Sequence, residues 1–213
     1  MHLQFIDIMK GYAMFVTCLD LEGVLVPEIW IAFAEETGIK ELRLTTRDIS
    51  DYDVLMKKRI AILKENGLKL SDIQKTIEKI DPMEGAKNFL DELRSICQVI
   101  ILSDTFTQFA QPLMKKLGMP TIFCNSLNIS SDGFINGYSL RQENGKYHAV
   151  KALQSIGFKT IASGDSFNDL EMIKQSEAGF LFRPPEHIAK EYCQYPAFTE
   201  YDELLDAVKK VLN

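Results

Sequence analysis

The chain has 213 residues, 46% of them hydrophobic, and a formal net charge of −6. That length and apolar content suit one domain, or a core carrying a smaller inserted domain, with enough interior to pack. The acidic balance, with no Lys/Arg cluster interleaved with aromatics, excludes a general nucleic-acid surface but not a small anion held by a few local cations.

In chain order, the opening "MHLQFIDIMKGYA" is broken by Asp7 and Lys10 too early for a signal-peptide core. No later stretch has the length of a membrane span, so a cytoplasmic location is expected. Met14 is a second candidate start, which would make residues 1–13 extraneous. "MFVTCLDL" (14–21) reads as the first strand, giving way to a turn at Asp20, Glu22 and Gly23. From about 28 to 82 there is no strand pattern. Helices are expected over Ile29–Thr37 before Gly38, over Tyr52–Glu65 before Asn66-Gly67, and over Ser71–Ile80, the last opened by a Ser71…Gln74 capping box. Residues 28–82 are therefore expected to form an inserted helical domain, with 1–27 and 83–213 as the core.

A helix over Gly85–Arg94 leads back to "QVIILSD" (98–104). Phe106, Phe109, Ala110, Leu113, Met114 and Leu117 then keep helical spacing up to Gly118, with Pro112 inside. "TIFCN" (121–125) is the next strand, followed by a hairpin within "LNISSDGFINGYSL" that turns at Ser131-Asp132-Gly133. A helix beginning near Lys146, the strand "KTIASGD" (159–165), a helix over Asn168–Lys174 and the strand "AGFLF" (178–182) complete the reading. The strands are continuously apolar rather than alternating, as in a parallel sheet buried on both faces. The fold class is α/β, a Rossmann-like parallel sheet flanked by helices. Cys18, Cys97, Cys124 and Cys193 have no paired spacing and read as reduced, buried thiols. His2, His148 and His187 have no ligand spacing, which disfavours a histidine metal site or a phosphohistidine enzyme.

Three strands end in a carboxylate or hydroxyl followed by a turn: at Asp20, at Ser103-Asp104 and at Gly164-Asp165. Ordinary strand termination explains any one of them. In open parallel sheets, however, ligands bind beyond the carboxyl ends of the strands, so the three would meet. As chemistry, Asp20 is a carboxylate nucleophile and Glu22 a general acid and base. An anionic phosphate needs charge neutralisation, for which Mg²⁺ on Asp20, Asp165 and the Glu22 backbone carbonyl is the candidate. Ser103 would bind phosphate through its hydroxyl. Lys146 is preferred over Lys151 as the phosphate-binding cation because it lies at the loop-to-helix junction; a solvated surface lysine is the plain alternative for either. In "GDSFND" (164–169), Gly164 allows close backbone approach and Asn168-Asp169 would support metal or substrate. An Asx turn capping the next helix is compatible with both.

"DLEGVLV", the Ser103 of "VIILSD", Lys146 and "GDSFND" resemble, in order and spacing, the four motifs of the haloacid dehalogenase (HAD) superfamily of phosphohydrolases. The resemblance runs from Met14 to the C-terminus and implies a HAD-like core with the 28–82 segment as its cap. Within that superfamily the chain is similar to phosphoserine phosphatases. "CLDLEGVLVPEIW", "TTRDISDYDVLMKKR" and "ILSDTF" are closer still to the bacterial type that also transfers phosphate from phosphoserine to homoserine. The resemblance implies an aspartyl-phosphate on Asp20, Glu22 as acid/base, Ser103 and Lys146 on phosphate, and Mg²⁺ on Asp20, the Glu22 carbonyl and Asp165, with Asn168 and Asp169 in support. Two departures stand out: Glu22 where the superfamily normally has Asp, and "SDT" at 103–105 where glycines usually follow the serine.

Arg59 falls on the apolar stripe of Tyr52, Leu55, Met56, Ile60 and Leu63. It either snorkels to the edge of the helical segment or, as the resemblance implies, clamps a substrate carboxylate, with Glu28 taking the ammonium group. Trp30 reads as packing. The expected partners are a small phosphoamino acid and, as acceptor, water or homoserine; a homodimer stays open. A phosphate-responsive receiver without catalysis is the competing class, disfavoured because the nucleophile lies on the first core strand with a cap after it.

Overall fold

The computed structural model describes residues 14–45, 48–49 and 51–213. The expectation for residues 1–13, His2 among them, and Thr46, Arg47 and Ser50 of the "TTRDISDYD" motif lie outside the described residues.

Seven strands form one sheet in the order β4-β3-β2-β1-β5-β6-β7. They are β1 Phe15–Leu19, β2 Gln98–Phe106, β3 Thr121–Ile129, β4 Ile135–Ser139, β5 Lys159–Gly164, β6 Ala178–Phe182 and β7 Ala197–Phe198. All pairings are parallel except β3 with β4. Along β1, Phe15 and Leu19 join one apolar cluster while Val16 and Cys18 join the other. Alternate residues thus point to opposite, equally covered faces, which is why the strand sequence shows no polar alternation.

The helices are α1 Ile29–Thr37, α2 Tyr52–Glu65, α3 Leu70–Lys79, α4 Ala86–Ile96, α5 Thr107–Lys116, α6 Gly145–Ser155, α7 Leu170–Gln175, α8 Glu186–Glu191 and α9 Tyr201–Leu212. A 3₁₀ turn, Lys40–Arg43, joins α1 to α2. The larger cluster takes in Phe33, Leu42, Met56, Leu63, Ile73 and Ile77 together with Phe89, Phe106, Phe109 and Leu113. Residues 28–82, which contain no named strand, therefore share one continuous apolar interior with the sheet. No helix among the described residues is long and apolar enough to cross a membrane.

Several expectations are corrected. β2 does not stop at Asp104 but continues to Phe106, with its register against β3 shifting between Leu102 and Phe106. β3 likewise runs to Ile129, so it pairs with β2 at one end and with β4 in the hairpin at the other. The Ser71…Gln74 capping box does not form, and the helix begins at Leu70. Asp72 instead accepts from the Lys69 N–H at 3.0 Å.

Gln74 Nε2 donates across to the Gln108 carbonyl in α5 at 3.0 Å. That carbonyl lies four residues before Pro112, which has no N–H to offer it. A side chain from α3 thus replaces the missing helical donor, and α5 passes through Pro112 unbroken. Beyond "AGFLF", where the expected elements end, the structure adds α8, β7 and α9. Of the four cysteines only Cys18 is fully buried; Cys97 and Cys124 are half-buried and Cys193 is exposed, all four free.

Candidate active site

β1 lies between β2 and β5, so the chain first winds outward through β2 and β3 and then returns to the opposite side of β1. Parallel sheets open a crevice beyond the strand ends at such a reversal. Asp20, Ser103 and Asp165 all line one cavity of about 110 Å³ there, with Glu22, Glu28, Trp30, Tyr52, Arg59, Thr105, Lys146 and Asn168 completing most of its wall.

The floor is a buried charge cluster. Lys146 Nζ is 2.8 Å from Asp20 Oδ1, 2.7 Å from Asp169 Oδ1 and 3.8 Å from Asp104 Oδ2. Burial alone would lower the lysine pKa, but Asp169, Asp20 and Asp104 together hold it well above the usual value. Burial raises Asp20 well above the ordinary carboxylate range, Asp169 adds to the rise, and Lys146 offsets part of it. Lys151 is exposed, its ammonium 5.3 Å from the Tyr147 ring centre, and does not line this cavity.

Asp169 organises the floor. Its Oδ2 accepts from the Asp165 N–H, the Ser166 N–H and the Ser166 hydroxyl, each at 3.0 Å, while Oδ1 meets Lys146. The expected helix over Asn168–Lys174 is corrected accordingly: a 3₁₀ turn at Phe167–Asp169 precedes α7, and Asn168 stands exposed at the cavity rim. The closeness at Gly164 is to a side chain of the chain itself, since a Cβ there would lie 2.1 Å from Asp169 Cγ. Gly23, at φ +81°, is required twice over: for its left-handed backbone and because a Cβ would lie 2.6 Å from Asp165 Cγ.

Ligand oxygens of Asp20, Asp165 and Asp169 can all lie within 4.8 Å of one another. Carboxylates outnumber the single lysine here, and the donors are hard oxygens, so the site fits a small divalent cation. Both Asp169 oxygens are engaged elsewhere, which makes Asp20 and Asp165 the fitting ligands and Asp169 their support.

The roof comes from α1, α2 and, between them, Leu44 and Thr45. Arg59 is buried, with an Nη2–H donating to the Leu44 carbonyl at 2.8 Å and its guanidinium carbon 4.4 Å from the Trp30 ring centre. Its Nε has no hydrogen-bond partner. Burial lowers its pKa to about 10 against the attraction of Tyr52, Glu22 and Glu28. Glu22 Oε2 accepts from the Ile29 N–H at 2.8 Å. Burial and then Glu28 push the Glu22 carboxyl up to about 7.

Of the site residues singled out in the sequence, Asp20, Glu22, Glu28, Arg59, Ser103, Lys146, Asp165 and Asn168 line this crevice, while Gly164 and Asp169 are buried behind it. Trp30 was read as packing, yet it lines the cavity and stacks on Arg59. Thr105, which the sequence marks only as part of the "SDT" departure, also lines the cavity; its position two residues after Ser103 on a continuing strand is the signal for this, because i and i+2 share a face.

Clustered carboxylates and a buried lysine at the reversal point of a parallel sheet define an α/β enzyme that handles an anionic group. Residues 17–177 match the haloacid dehalogenase-like hydrolases, and the chain belongs to that family. It is 54% identical over 189 residues to the phosphoserine phosphatase ThrH of Pseudomonas aeruginosa, covering 89% of this chain and 92% of the relative. It is 52% identical over 198 residues to a phosphoserine phosphatase of Pseudomonas syringae pv. tomato, covering 93% of this chain and 84% of the relative. In fold it is similar to a solved phospho-aspartyl intermediate analogue of phosphoserine phosphatase, with a TM-score of 0.75 at 24% identity, covering 92% of this chain and 99% of that one.

Proposed function

We propose that the chain is a Mg²⁺-dependent phosphoserine phosphatase working through an aspartyl-phosphate on Asp20, with residues 28–82 as the cap over its active site. The observation that carries this is the pairing of two unlike walls in one cavity: a carboxylate–lysine floor suited to phosphoryl transfer, and a buried arginine opposite it. The names of the two Pseudomonas relatives support the substrate.

In this reading an Asp20 carboxylate oxygen attacks phosphorus, a new P–O bond forms, and the bond from phosphorus to the serine oxygen breaks. Glu22 gives its proton to that departing oxygen. Glu22 then takes a proton from the acceptor as the acceptor oxygen attacks phosphorus and releases Asp20. Lys146 and Ser103 hold phosphate oxygens, and Asp20, Asp165 and the Glu22 carbonyl would hold Mg²⁺. That ion supplies charge neutralisation for the phosphate and the acids around it. Arg59 engages the substrate carboxylate and Glu28 its ammonium group, with Asn168 at the rim. The four free cysteines suit a reducing, cytoplasmic setting.

A second reading, with homoserine rather than water as acceptor, is supported by the resemblance of "CLDLEGVLVPEIW" to the bifunctional type. One experiment separates the two: phosphate release from phosphoserine, with and without homoserine, for wild type and Asp20→Asn. Release that needs Asp20, stops on chelation and returns with Mg²⁺ supports the phosphatase, and diversion into phosphohomoserine supports the transferase. No turnover by folded, Mg²⁺-loaded protein overturns the substrate assignment.

A further inference from the structure

Arg59 is the buried cation of the roof, yet few hydrogen bonds fix its direction. Among the described residues its Nη groups meet the Leu44 carbonyl at 2.8 Å and the Met56 sulfur at 3.8 Å. Its Nε meets no acceptor. An arginine side chain turns about several bonds, and a guanidinium grips a carboxylate with two parallel hydrogen bonds only in one plane. Something besides hydrogen bonding has to set that plane.

Trp30 is in place to do so. The Arg59 guanidinium carbon lies over its ring, 4.4 Å from the ring centre, and both residues line the same cavity. The indole is itself held: the fully buried Phe109 of α5 meets it edge-on, with ring centres 5.6 Å apart and planes at 69°. Trp30 also follows directly on Ile29, whose N–H is bonded to Glu22 at the start of α1. A ring that only filled space would serve in any orientation; this one covers the cation beside a cavity sized for a small molecule.

We propose that Trp30 is a specificity-determining residue: its indole holds the Arg59 guanidinium in the plane that receives the substrate carboxylate, so that the site favours amino-acid phosphates over phosphate esters without a carboxylate. The proposal rests on the reading of Arg59 as the carboxylate clamp. Trp30 acts through Arg59 and is a positioning residue. It has no part in the floor, where Lys146 is paired with Asp20 and Asp169.

The test uses the full chain loaded with Mg²⁺ and measures the KM for phosphoserine beside the competitive inhibition constants, Ki, of phosphoethanolamine and inorganic phosphate. Phosphoethanolamine is phosphoserine without its carboxylate, and phosphate meets the floor alone. Four variants are compared with wild type: Trp30→Leu, which removes the ring, Trp30→Phe, which keeps a smaller one, Arg59→Met, and the Trp30→Leu, Arg59→Met double variant.

Trp30→Leu is expected to raise the KM for phosphoserine about 20-fold and Trp30→Phe about fivefold, the loss and the weakening of a desolvated cation–π contact, with both Ki values within about twofold of wild type. The double variant is expected to match Arg59→Met alone, because two residues that act as one unit do not add. Should Trp30→Leu fail to fold, Trp30→Phe carries the same comparison of KM with Ki. An unchanged KM, a rise of KM and both Ki values together, or additive effects in the double variant overturns the role of Trp30 while leaving Arg59 as the clamp. An Arg59→Met variant that does not discriminate phosphoserine from phosphoethanolamine overturns the clamp itself, and the proposal with it.

Discussion

The floor and the roof of the cavity are built on different principles, although each contains a buried cation. On the floor, Lys146 meets two carboxylates within 3 Å, and Asp169 is held in turn by Ser166 and the Asp165 N–H. In the roof, Arg59 meets a backbone carbonyl and an indole face, and its Nε is left without a partner. A buried donor left without a partner, as Arg59 Nε is, calls for an explanation, and a bound ligand would satisfy it. The difference supports the proposed division, with chemistry on the floor and recognition in the roof.

The comparison is sharpened most by Lys146→Met. Removing the lysine leaves buried carboxylates facing each other, so stability should fall by about 3–5 kcal/mol in urea denaturation. Phosphate release should fall on the order of 10³-fold.

Arg59→Met should behave in the opposite way. An apolar side chain of similar length removes an incompletely paired charge, so unfolding should be unchanged or shifted slightly toward greater stability. The KM for phosphoserine should nevertheless rise roughly 10- to 100-fold, as expected for losing hydrogen bonds to a charged group. A variant that unfolds early while keeping its KM would break the distinction between floor and roof.

Trp30→Phe tests the roof more finely. A smaller ring under the guanidinium should raise KM about fivefold while leaving kcat close to wild type. As the sole tryptophan of the chain, Trp30 also offers a fluorescence signal, and that signal should change on substrate binding.

The smallest effect is expected at Gln74, where α3 supplies the donor that Pro112 removes from α5. Gln74→Ala should cost about 1 kcal/mol in thermal or urea unfolding, with turnover unaffected. An equal loss in a Gln74→Ala, Pro112→Ala double variant would break that account, because a restored N–H at 112 makes the side-chain donor redundant.

Much of the molecule was legible before folding because local physics governed it. Apolar runs without alternation announced strands covered on both faces, and the bounds of α1 and α2 followed from their stop signals. Asp20, Ser103 and Asp165 were legible because parallel strands gather their carboxyl-end residues in one crevice, and Lys146 through its place at a loop-to-helix junction. What escaped the sequence depended on partners distant in the chain. At the start of α3 Asp72 takes the Lys69 N–H, while Gln74 donates to a carbonyl 34 positions away, in α5. Trp30 became part of the roof only when α2 brought Arg59 over its ring. Thr105 reached the cavity because β2 continued past the register shift, and Asp169 became the centre of the floor through Lys146, 23 residues earlier. Periodicity and turn chemistry are encoded within a few residues and so are written in the sequence. The pairing of buried polar groups is decided by which segments the packed interior brings together, and only the tertiary structure settles that.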